Sequence, residues 1–367
     1  MQKIIDKHLD PQRAEEIIDI AEKLGLSTTI SLITGFPEEE WEDTRETLRI
    51  FMHSARCPHS YPQLNILAPL AGTPIYSLYK PQLVLEELCS DMSHQGLSQN
   101  EADLGLIRKH LEIFPNFYLL PMAQLDRGIL LELREFLTIA VEWFRWLLSA
   151  IDQNIVDMSG FFLKWREHRL LLRPDLVGSA LRRYYLGKDF RPDFLAFVRG
   201  HAASKEQMIA SLLAAEEALL WGSRAPTQRD DQISLDQPLR WSDVPSAAHF
   251  SDVIELQCNL QEIVETLSSK SERPLKTDRS FYVVRESNGD RSLTKISNYL
   301  ASLVRACDGT RTIDEVLTQL YLDTPEISEE LKSYFFVRLL QGAQTQGLIS
   351  IYRTSQPESG SDRSNFD

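Results

Sequence analysis

Cysteine is scarce and scattered in this chain. Cys57, Cys89, Cys258 and Cys307 serve 367 residues, and no two stand at a CxxC or CxxxC spacing. A disulfide-knit module is thereby excluded, and free buried thiols in a reducing compartment are expected. A long uncharged apolar run is missing as well. The most apolar stretch, Ile129 to Ile151, is broken by Glu132, Arg134, Glu135, Glu142 and Arg145, too many charges for a bilayer span. No secretory h-region opens the sequence. Positive charge is in deficit, with 39 Lys plus Arg against 53 Asp plus Glu, a formal −14. Such a field repels phosphate backbones. Together these absences predict a cytoplasmic protein with neither a membrane nor a nucleic acid as partner.

Strongly spaced catalytic motifs are also lacking. There is no Walker loop, no HExxH and no Ser-His-Asp set, and none of the eight histidines has another at i+4. No metal ligand is assigned, and His53 and His59 are expected at the surface. What is present is an ordinary globular composition, 43% hydrophobic and 25% charged.

The first 75 residues alternate between helix and strand signals. Asp10-Pro11 is an N-cap followed by a first-turn proline, and Leu24-Gly25-Leu26 stops that helix. The β-branched run Thr28 to Thr34 predicts a buried strand. Gly35-Phe36-Pro37 turns the chain into an acidic helix start at residues 38–43 that runs to about Ala55. A second strand is expected over Gln63–Ala68, ending at Pro69-Leu70-Ala71-Gly72-Thr73-Pro74. Helix, strand, helix, strand predicts a parallel α/β arrangement over residues 1–125, with any ligand beyond the strand C-termini.

Residues 80–222 read as helical, with 117–121 the one short strand candidate, and 126–222 are assigned as a helical region. Between 161 and 200 nine Lys or Arg face four Asp or Glu. This local excess reads either as arginines lying over apolar neighbours or as a docking surface for an acidic partner. Residues 223–250, rich in Ser, Pro, Gln and Asp, read as a linker. Beyond it, 251–353 has an α+β pattern: strands at 253–257 and 281–285, an Asn288-Gly289 hairpin signal, three helices and a last strand at 348–352. Thr312-Ile313-Asp314-Glu315 is a capping box. The helix from Ser328 to Gln346 carries a wide apolar face that could line a groove. These features suggest a winged-helix-like module, followed by a disordered tail at 354–367.

Two resemblances add to this reading. Ser31-Leu32-Ile33-Thr34-Gly35-Phe36-Pro37-Glu38 resembles the GxIxGxxE fifth strand of radical S-adenosylmethionine enzymes, with Ser31 in place of the first Gly. Asn65 to Tyr76 resembles their sixth strand and its Pro-x-x-Gly-Thr-Pro exit, as in cobalamin-binding members. The resemblance implies part of a (β/α)6 barrel holding S-adenosylmethionine, a 4Fe-4S cluster and cobalamin. Ser31, Ile33 and Gly35 would flank the adenosyl group, and Glu38 would support the turn. The family also needs a CxxxCxxC loop, which this sequence lacks. The expectation is therefore the C-terminal portion of a longer enzyme, or else a catalytically inactive peptide-binding partner. Ile296 to Ile349 is similar to the peptide chaperone of pyrroloquinoline quinone biosynthesis, a recognition element that implies a precursor leader peptide as partner.

Overall fold

Helix α1 (Pro11–Lys23) starts as its sequence dictates: Asp10 accepts a hydrogen bond from the Gln12 amide, and Pro11 occupies the first turn. Gly25, at φ 66°, turns the chain into β1 (Thr28–Thr34). Helix α2 (Trp41–Ala55) opens with a Glu40/Asp43 capping box and leads to β2 (Ser60–Ile66). The two strands pair in parallel, Ser31 beside Gln63 and Ile33 beside Asn65. A computed structural model of the chain describes residues 10–86, 100–202, 206–221, 232–234, 237–248, 252–269, 275, 278–287, 290–325 and 327–353. The Asn288-Gly289 signal, Cys89 and the 354–367 tail lie outside these.

The described chain is mixed α/β, dominated by helices, with small sheets of two or three strands and none closed. It divides into two compact units, residues 1–213 with 263–274, and 214–262 with 275–367.

In the first unit, β1 is not the buried strand its composition suggests. Thr29, Ser31 and Ile33 are exposed, and only the alternate face turns inward, ending on fully buried Thr34. After β2, Gly72 (φ 82°) and the Thr73 cap start α3 (Pro74–Tyr79), which gives the Gly-Thr-Pro run a plain mechanical role. Strand β3 (Val84–Leu85), helix α4 (Glu101–Lys109) and strand β4 (Tyr118–Leu119) follow, β3 and β4 pairing antiparallel. Helix α5 (Arg127–Asn154) is capped by Asp126 and broken at Phe144, whose φ and ψ are −126° and 27°. Helix α2 packs against both strands and α5 against β2. Helices α6 (Met158–Leu172), α7 (Gly178–Leu186) and α8 (Phe190–His201) complete an aromatic core with α5. There Phe144 stacks on Phe194 at 5.0 Å, and Trp165 meets the same ring edge-on at 5.4 Å. Each such pair adds about 1 kcal/mol beyond the area it buries.

The chain continues through α9 (Gln207–Trp221) into the second unit. Strand β5 (Val244–Ala247) lies inside the segment expected to be a linker. Next come β6 (Val253–Leu256), α10 (Leu260–Ser268), β7 (Ser280–Ser287) and β8 (Asp290–Ile296). Strands β6, β7 and β8 form an antiparallel sheet in that order. Helices α11 (Asn298–Ala306), α12 (Ile313–Asp323) and α13 (Glu329–Thr345) pack together around Val304, Val316, Leu317, Phe336 and Leu340. The final strand β9 (Ile349–Tyr352) pairs antiparallel with β5. No helix among the described residues is long and apolar enough to cross a membrane.

Candidate functional site

The C-terminal end of β1 is built around one carboxylate, and it belongs to Glu39. That side chain is 2% exposed. Its Oε1 accepts from the hydroxyls of Thr34 (2.6 Å) and Thr44 (2.9 Å), and its Oε2 from the amides of Gly35 (2.6 Å) and Phe36 (3.1 Å). Strand end, turn and first turn of α2 are thus fastened by a single residue. The turn-supporting role expected of Glu38 therefore falls to its neighbour. Glu38 is exposed and accepts from the Tyr79 hydroxyl at 2.6 Å, a bond that raises the phenol above its usual range. An acid five residues after the strand's last threonine was the available signal for Glu39.

Gly35 is buried, at φ 93°, and a Cβ there would sit 3.1 Å from both Ile66 Cγ2 and Met122 Cε. Only glycine allows that approach. Ser31 and Ile33 stand elsewhere, on the outward face of the strand pair. Ile33 is 40% exposed, and the Ser31 hydroxyl accepts from Asn65 Nδ2 at 2.8 Å. Of the three residues expected to flank the adenosyl group and the fourth, Glu38, expected to support the turn, the fold brings Ser31 and Ile33 to one surface, adds Asn65, and places Gly35 and Glu38 apart from it.

Comparison with protein-family models and with curated protein sequences finds no match.

The outward face sets an aliphatic surface at Ile33 beside the hydroxyl of Ser31 and the carboxamide of Asn65. The described cysteines do not fit a 4Fe-4S cluster. Cys57, Cys258 and Cys307 are buried thiols outside any disulfide, and no two of them share a ligand group among the described residues. Burial pushes the Cys57 thiol up to about 11 and the Cys307 thiol up to about 12, so both are protonated at neutral pH unless a cation displaces the proton.

His53 is buried, against the expectation of a surface role, and its Nε2 lies 2.9 Å from Asp19 Oδ1. Asp19, His53 and Cys57 present ligand atoms within 4.8 Å of one another. Sequence spacing shows the His53/Cys57 half of this group as an i, i+4 pair. Asp19 comes from another helix and is invisible to it.

The basic window of 161–200 is largely spent inside the first unit. Arg169, 1% exposed, forks onto Glu132, which also takes Arg166 at 3.0 Å and the Tyr185 hydroxyl at 3.0 Å. Arg173 pairs with Asp193 at 3.3 Å, Arg182 with Glu135 at 3.5 Å, and Arg191 lies 4.1 Å over the Trp143 ring. Glu132 and Glu135 lie upstream of the window, so counting charges inside it overstated the free charge.

Proposed function

We propose that this chain is the C-terminal portion of a radical S-adenosylmethionine enzyme that modifies a ribosomally made peptide. Its first unit would supply two strands of a partial (β/α)6 barrel. The observation that carries this reading is a parallel strand pair with helices packed on it and with Ser31, Ile33 and Asn65 together on its outward face. In a barrel of parallel strands, helices lie outside and ligand-facing side chains inside. Ile33 would support the adenine ring, with Ser31 and Asn65 at its polar edge. When bound beside a 4Fe-4S cluster, S-adenosylmethionine supplies radical chemistry. The described cysteines do not hold that cluster, so its ligands would come from outside these residues. The Pro-x-x-Gly-Thr-Pro exit, the feature that suggests cobalamin, is here a glycine turn and a helix cap, and no residue is assigned to that cofactor.

The second unit is read as the winged-helix-like module that holds the leader peptide. Strand β8, seven residues long, pairs with β7 on one side and with no strand on the other among the described residues. An extended leader would add there as a further strand, at micromolar affinity or about −8 kcal/mol. A second reading, a peptide-binding partner without the iron–sulfur centre, is favoured by the three buried, separated thiols.

The deciding experiment titrates S-adenosylhomocysteine, a redox-inert stand-in, into the full chain by calorimetry. Saturable binding is expected, weakened at least about tenfold by Ile33→Asp and unchanged by Thr29→Asp on the same face; a tenfold loss corresponds to about 1.4 kcal/mol. No binding, or binding indifferent to Ile33→Asp, would remove the adenosyl site and leave the peptide-binding reading.

A further inference from the structure

The helix layer of the first unit carries a second constellation that the adenosyl reading does not use. Helix α2 holds His53 in its last turn. The chain continues through Arg56 in helical geometry (φ −78°, ψ −10°), so Cys57 arrives one turn further on, its Sγ 3.6 Å from the His53 carbonyl oxygen. Helix α1 packs against α2 and brings Asp19, whose Oδ1 lies 2.9 Å from His53 Nε2. The three ligand atoms lie within 4.8 Å of one another. We propose that Asp19, His53 and Cys57 bind a single divalent cation of the zinc class.

The donor set decides the class of ion. One thiolate, one imidazole and one carboxylate suit zinc or cobalt, whereas calcium and magnesium call for oxygen alone. Zinc sits about 2.3 Å from sulfur and about 2.0–2.2 Å from nitrogen and oxygen. Tetrahedral ligand atoms are then about 3.3–3.7 Å apart, so the Asp19–His53 pair, now 2.9 Å apart, opens by about 0.5 Å while Cys57 closes by up to about 1 Å, within reach of side-chain rotations. Binding sends the thiol proton to solvent, and three protein ligands leave a fourth position for water. His53 and Cys57 are buried, and Asp19, whose side chain is 29% exposed, marks the way in.

A supporting shell holds the two halves in register. Glu22, one turn along α1 from Asp19, accepts from the His59 amide at 2.9 Å and meets His59 Nδ1 at 2.7 Å. The Ser54 and Ser60 hydroxyls bond at 2.6 Å, and Arg56 pairs with Asp152 at 2.9 Å. The segment carrying Cys57 is thereby latched to the helix carrying Asp19, the arrangement that fixes ligands before an ion arrives.

The test uses the full chain, stripped with a chelator and titrated with Zn²⁺ in competition with a chromophoric chelator, and separately with Co²⁺ by absorption. One equivalent of each ion should bind, Co²⁺ giving intense tetrahedral bands and a sulfur-to-cobalt charge-transfer band. Loss of an outer-shell partner alone costs about 10–100-fold in affinity, so Cys57→Ala and Asp19→Asn should each cost at least about tenfold. Cys57→Ala should also erase the charge-transfer band, and Cys307→Ala should change neither reading. Circular dichroism verifies that the variants fold. Absence of saturable binding to the folded wild type, a charge-transfer band that survives Cys57→Ala, or affinity indifferent to Asp19→Asn would overturn the site.

Discussion

Replacing Glu39 with alanine takes one acceptor away from four donors at once. The two hydroxyls, of Thr34 and Thr44, can rotate toward other oxygens, but the amides of Gly35 and Phe36 are fixed by the backbone. Each buried amide left unpaired costs about 1–3 kcal/mol, which puts the expected loss near 4 kcal/mol. Glutamine keeps one oxygen for both amides and gives up only the charge, so Glu39→Gln should cost about 1–2 kcal/mol. Alanine at the exposed Glu38 loses one surface bond to Tyr79 and should stay within about 0.5 kcal/mol. The assay is hydrogen exchange at the Gly35 and Phe36 amides in the full chain, which reads local opening directly. At about 1.4 kcal/mol per decade, Glu39→Ala should lower their protection by about a thousandfold. Protection within about threefold of wild type, or an equal effect from Glu38→Ala, would refute the assignment of the turn to Glu39.

Three other outcomes follow from the same geometry. Gly35→Ala, at φ 93° with 3.1 Å contacts waiting for its Cβ, should lower stability by about 3 kcal/mol in thermal melts; Gly25→Ala, at φ 66° in open space, should lose only about 1 kcal/mol. The Cys307 thiol, held neutral up to about 12 by burial, stabilises the second unit fully below its unfolded value near 9. That contribution, up to about 4 kcal/mol, should be lost as pH rises from about 9 to 12, and urea titrations of Cys307→Ala should lack that part of the alkaline decline. Arg169→Met leaves the buried Glu132 carboxylate with only Arg166 and the Tyr185 hydroxyl and should cost about 2–3 kcal/mol in urea titration, while adding Glu132→Gln should recover part of that loss.

Local chemistry was legible wherever a single segment carried its own instructions. Asp10-Pro11 and the Thr312/Glu315 capping box were readable, because caps depend on residues three or four apart, whereas Thr73-Pro74, expected at the end of a strand, is the start of a helix. Strand β5 was hidden in a Pro- and Ser-rich stretch because its partner, β9, lies a hundred residues on, and only that pairing makes it a strand. The outward face of β1 escaped for a related reason: a β-branched run shows strand propensity, but whether one or both faces are covered depends on the rest of the sheet. Ser31, Ile33 and Gly35 could be singled out by motif. That Gly35 faces Met122 while Ile33 faces outward is set by a segment nearly ninety residues away. Asp19, His53 and Cys57 needed two helices to be packed before they formed a group.

The occupied amides of Gly35 and Phe36 also decide what the strand end rejects. Many nucleotide sites offer free backbone N–H groups at a strand-to-helix turn, and phosphate settles there. Here both donors already serve a resident carboxylate, and Glu38, Glu39 and Glu40 stack negative charge over the same turn. A nucleoside triphosphate would meet repulsion and no donor. A sulfonium such as that of S-adenosylmethionine carries the opposite sign and needs no such donor. Under the proposed adenosyl reading, the turn disfavours phosphorylated adenosines and leaves the outward face of β1 to uncharged or cationic ones.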